Sequence, residues 1–155
     1  MKLVRATEDQ LTFQLGKREK ELLLTVLGFY PAAPRSCQLT RSTGVPDAKE
    51  SQKLLEQSLA EQREQNQKQL AALLTDAKRL APNEHGWRLS LARGDLEWLL
   101  QVLNDIRIGH WVALGSPAEP ERIINETTAP HLWAMEVAGS FQMGFLEIAR
   151  RKPGK

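Results

Sequence analysis

From about Arg93 to Leu114 the chain reads as one helix that is apolar on almost every side. At about 100° per residue, Leu96, Leu99, Leu100, Leu103, Ile106 and Leu114 form one stripe. Trp98, Val102, Ile108 and Val112 take much of the other side. Such a helix has little surface to give to water, so it is expected at the centre of the fold. Arg107 and His110 nevertheless fall inside the stripe. A guanidinium buried without a partner costs several kcal/mol, so Arg107 calls for a carboxylate or several carbonyls nearby.

The last helix offers those carboxylates. Thr128 is placed to cap it, Pro130 sits in a first turn that tolerates proline, and the helix is expected to reach about Arg151. Val137, Phe141, Phe145 and Ile148, with Trp133, make its main apolar face. Glu136 and Glu147 share a neighbouring stripe with Ser140 between them. If the two helices pack side by side, Arg107 meets Glu136 or Glu147, and its planar fork suits a bidentate pair. Asp105 stands two residues from Arg107, which on a helix points it elsewhere. The candidate binding block is therefore Asn104, Arg107 and His110, with Glu136 or Glu147 as countercharge. It reads in two ways: as a buried pair that fixes helix register, or as a polar pocket for a ligand or a partner's carboxylate.

The same helix carries a second apolar face of Leu132, Met135, Gly139, Met143 and Leu146. One face can fill the core; the other must be covered by another element or another subunit. A homodimer through those five residues is the expectation. A monomer with helices on both sides of the last helix would produce the same pattern.

The first half has a different texture. Lys2 to Thr7 reads as a strand, Glu8 to Gln10 as a turn, and Leu11 to Leu15 alternates with period two, so a β-hairpin opens the chain. Lys17 to Leu27 is a short helix with Leu22, Leu23, Val26 and Leu27 on its apolar side and Gly28 at its end. Residues 31–46 form a Pro/Ser/Thr/Gly-rich loop, and Pro46 with the cap candidate Asp47 opens a long helical segment. The middle of that segment, Ala60 to Gln69, holds no large apolar residue, between Leu54, Leu55 and Leu59 on one side and Leu70, Leu73 and Leu74 on the other. Polar all round, it must be exposed or broken in two. It reads as an exposed amphipathic helix or a docking arm, steadied by one Glu64–Lys68 pair worth about 0.2–0.5 kcal/mol. Pro82, Asn83 and Gly86 mark the next loop, and Trp87 to Leu91 alternates again as a third strand.

At 155 residues the chain is the size of one domain, taken as 1–155, and can bury a full core without a metal or disulfide. Its net charge of +2, with acids and bases interleaved, is too small to argue for nucleic acid. The charged runs at Lys17–Glu21 and Arg150–Lys155 read as solvated surface. The N-terminus has no signal-type apolar core, and the single cysteine, Cys37, agrees with a reducing compartment, so the expected location is the cytoplasm. No phosphate loop, dinucleotide fingerprint, zinc-protease or nucleophile-elbow motif occurs, nor a CxxC. His85, His110 and His131 share no metal-ligand spacing, so no cofactor and no metal are expected. The tryptophans and phenylalanines read as core.

The stretch LARGDLEWLLQVLNDIRIGHWVALG resembles a bacterial family of unknown function, known mainly from actinobacteria. Leu91, Trp98, the block Leu103-Asn104-Asp105-Ile106-Arg107, and Leu114 with Gly115 carry the resemblance. The segment QKLLEQSLAEQREQNQKQLAALL is similar to that family's middle helix. His110-Trp111 and the loop 31–46 depart from its pattern. The family's gene often lies beside that of the Clp-protease adaptor, which implies at most a loose link to regulated proteolysis and to Clp-related machinery as partner.

These readings converge on an α+β, mainly helical chain: a small three-stranded antiparallel sheet on a helical core, with one long exposed helical segment. The expected function is that of a non-catalytic interaction or regulatory protein. The alternatives are an enzyme with its site round Arg107 and His110, and a weak nucleic-acid binder.

Overall fold

The computed structural model describes residues 1–31 and 48–150. Cys37, most of the expected loop 31–46, the cap candidate Asp47 and the basic run from Arg151 onward lie outside the described residues. The elements are β1 (Lys2–Ala6), β2 (Gln10–Leu15), α1 (Lys17–Leu27), α2 (Ala48–Thr75), β3 (Leu80–Asn83), β4 (Gly86–Ala92), α3 (Arg93–Ala113), a 3-10 turn (Pro120–Ile123) and α4 (Ala129–Arg150). The class is α+β, as the patterns predict.

The sheet has four antiparallel strands in the order β1-β2-β4-β3, not three. The added strand is β3, Leu80-Ala81-Pro82-Asn83, which Pro82 makes read as loop. A proline is tolerated there because β3 is an edge strand, where a missing N–H costs least. A tight turn then leads into β4 at Gly86. Its φ is +128°, and a Cβ there would lie 2.4 Å from the Leu15 carbonyl oxygen, so only glycine fits.

Register explains the core. Leu11 pairs with Leu91, Phe13 with Leu89 and Leu15 with Trp87 across β2 and β4. All but Trp87 are buried. The face they make packs on the helices, and the Phe13 ring meets the edge of Phe145 on α4 at 5.2 Å between centroids. The interface between α3 and α4 is the most extensive pairing of helices. Leu96, Leu99, Val102, Leu103 and Ile106 of α3 are buried, as are Ala134, Ala138, Phe141, Phe145 and Ile148 of α4. The expected central helix is therefore central, but not wrapped: Ile108 and Trp111 are exposed near its end.

The α2 helix is continuous rather than broken. Its N-terminal half is largely exposed, with Leu54 open to solvent, while Leu70 and Leu73 dock on the body. The polar stretch is not wholly solvated, contrary to expectation, because Asn66 in its middle is buried. Its amide donates to the Tyr30 hydroxyl at 2.9 Å and its carbonyl oxygen accepts from Trp98 Nε1 at 3.0 Å and from Gln62 Nε2 at 3.1 Å. A buried amide is stable when its donors and acceptors are met, and this one links α2, α3 and the end of α1.

Candidate functional site

Arg107 does not meet Glu136 or Glu147. It is exposed, and its Nη1 donates to the neutral Gln142 Oε1 at 2.8 Å. Its guanidinium crosses α4 at Gly139, where an added Cβ would lie 3.4 Å from Nε. At about 100° per residue, Gly139 and Gln142 lie roughly 60–120° round α4 from Glu136. That rotation separates the expected pair. Because the guanidinium reaches water, it needs no countercharge. Asn104, one turn earlier, is half-buried. Asp105 faces α2 instead: burial pushes its carboxyl above the ordinary value, while the charge of Arg63 pulls it partly back.

His110 departs from the block in the other direction. It lies in the last turn of α3 and meets His131 in the first turn of α4, with the two Nδ1 atoms 2.9 Å apart. Phe29, just past α1, presses its ring against His110 at 5.3 Å and lies 6.4 Å from Trp133. The His110 Nε2 is sealed from solvent and has no hydrogen-bond partner among the described residues. Burial, and next the charge of His131, hold the His110 pKa below its ordinary value. In the neutral pair one Nδ1 donates and the other accepts. Among the described residues no group of three His, Cys, Asp or Glu side chains is arranged to hold a metal ion. The pair was hidden by its 21-residue separation. The signal was there in part: two consecutive helices packed antiparallel bring the last turn of one beside the first turn of the next.

Glu136 and Glu147 lie elsewhere, on the wall of a groove between β1 and α4. The groove has a volume of about 1220 Å³. Every residue from Met1 to Ala6 lines one side of it; Trp133, Glu136, Val137, Ser140, Phe141, Gly144, Glu147 and Ile148 line the other, and Glu19 and Leu22 of α1 close it. Glu19 is already engaged. It accepts from the Met1 ammonium and from the Gly16 N–H at start of α1. Burial raises its pKa, but those two hydrogen bonds and the ammonium's charge together hold it below the ordinary value. Trp133 is 40% exposed at the groove, so it is not core as expected. Trp87 is covered instead: Lys20 Nζ stands 4.0 Å above its ring.

The face expected to pair two subunits is divided. Gly139 lies under Arg107, and Leu132 and Met135 are half-buried, leaving Met143 and Leu146 exposed. Among the described residues no helix is long and apolar enough to cross a membrane. No protein family, curated protein or solved structure matches this chain.

Proposed function

We propose that this is a non-catalytic cytoplasmic interaction protein whose binding surface is the β1–α4 groove. The single observation that carries the reading is the groove itself. It exceeds the roughly 300–1,000 Å³ of ordinary small-molecule sites, and it runs along secondary structure rather than closing into a cavity. It mixes apolar floor residues, Val137 and Phe141, with the polar groups Ser140 and Glu136. The resemblance to the actinobacterial family implies at most a loose link of that partner to regulated proteolysis. The test is a pull-down from the source organism's lysate with wild type, Ser140→Trp, which fills the groove, and Arg107→Ala, which lies outside it. A protein retained by wild type and Arg107→Ala but lost with Ser140→Trp is the expected result. Retention indifferent to Ser140→Trp overturns the reading.

One observation favours an enzyme reading: His110 has a displaced pKa and an aromatic surround. Against it, among the described residues its only close polar partner is another imidazole, and its other nitrogen is sealed from solvent. A homodimer through Leu132, Met135, Gly139, Met143 and Leu146 is supported by the exposure of Met143 and Leu146 alone. A molecular mass near 35 kDa by light scattering, twice the chain's 17.5 kDa, is the result it requires.

A further inference from the structure

We infer that the groove takes an extended peptide as a fifth strand on β1, with a lysine or arginine of that peptide paired to Glu136. The inference rests on the reading of the groove as the binding surface and names what occupies it. Strand order puts β1 at one edge of the sheet, bonded to β2 on one side only. Among the described residues no main-chain hydrogen bond joins Lys2–Ala6 to any element on its other side. The groove is lined by consecutive residues of β1, those facing either side of the sheet alike. A cavity on one sheet face would be lined by alternate residues, so this one follows the strand's edge. An edge of unmade N–H and C=O bonds is matched most completely by another extended main chain.

The opposite wall sets what that chain carries. In an added strand, alternate side chains turn towards α4. There they meet the apolar Val137 and Phe141, and at one end the Glu136 carboxylate. Glu136 is exposed and pairs with no base among the described residues, whereas Glu19 is held by Met1. The occupant is therefore a peptide with apolar residues at every second position and a basic residue at the Glu136 end. The register shift between Leu3 and Arg5 leaves Val4 without a partner on β2.

The test uses a phage-displayed dodecapeptide library on the immobilised full chain, wild type and Glu136→Lys. Peptides enriched on wild type are expected to alternate apolar residues and carry a Lys or Arg at one position, and those enriched on Glu136→Lys to carry Asp or Glu there. N-methylation of the best peptide, one residue at a time, is expected to weaken binding tenfold or more at alternate positions and little between them. A methylation profile with no alternation overturns strand addition, and identical selections on both proteins overturn the pairing with Glu136. If the selected peptide then still competes with the protein captured from lysate and fails on Ser140→Trp, the groove survives as the binding surface. If no peptide is enriched, strand addition fails, and the Ser140→Trp pull-down decides alone whether the groove binds anything.

Discussion

Across the 2.9 Å between His110 and His131 there is room for one proton, not two. Protonating His110 charges a ring that burial keeps neutral. Its folded pKa lies below that of the unfolded chain, so the unfolded state binds protons more readily at mildly acid pH. Stability from this group is whole above about 6.5 and is lost as pH falls through the folded value. Urea unfolding between pH 7.5 and 5 is expected to give a falling midpoint, and a proton NMR titration to place His110 below the ordinary value; a raised value contradicts the account. Asn66 makes a second residue-scale case. Asn66→Leu keeps the volume but strands Tyr30 Oη and Trp98 Nε1, and is expected to cost about 1–3 kcal/mol in urea unfolding. Arg107→Ala removes one hydrogen bond to a neutral amide at the surface, and so about 1 kcal/mol or less. A loss of about 3–5 kcal/mol would instead restore the buried ion pair.

At the scale of elements, α4 shows what a helical wheel can and cannot reveal. Its stripes were legible: Phe141, Phe145 and Ile148 do form the core face, and Glu136 and Glu147 do share one side. Which neighbour each stripe faces depends on how the helix is rotated in the fold, and periodicity holds no information about that. So the wheel points the acids at α3, whereas they stand beside β1. The period-two hairpin, the strand at Trp87–Leu91 and the bounds of α3 follow directly from pattern, because burial on one face dictates them. β3 escaped because Pro82 argues against any strand except an edge, and edge position is a tertiary fact. Asn66 escaped because polar residues carry no burial signal of their own. Two substitutions in α4 test the packing as described. Phe145→Ala empties the contact with Phe13 and is expected to cost about 3–5 kcal/mol. Gly139→Ala meets only the movable end of Arg107, so the helix gains by up to about 1 kcal/mol; both are read by urea unfolding.

At the largest scale, the apolar face of a four-stranded sheet buries into a helical pair, a long helix is tied on by Asn66, and among the described residues the β1 edge is left without a further strand beside an amphipathic wall. The candidate block of Asn104, Arg107, His110, Glu136 and Glu147 resolves into three places: a surface guanidinium, an imidazole pair between helix ends, and the groove. Of these only the groove has the size and the unmade hydrogen bonds to hold a partner. Amide hydrogen exchange of the full chain, with and without the peptide selected on it, tests that claim most directly. Slowed exchange in Lys2–Ala6, with protection along the groove side of α4 and none at the exposed N-terminal half of α2, is the predicted result. Unchanged exchange in β1, or protection confined to α2 or to the His110–His131 end, would contradict it.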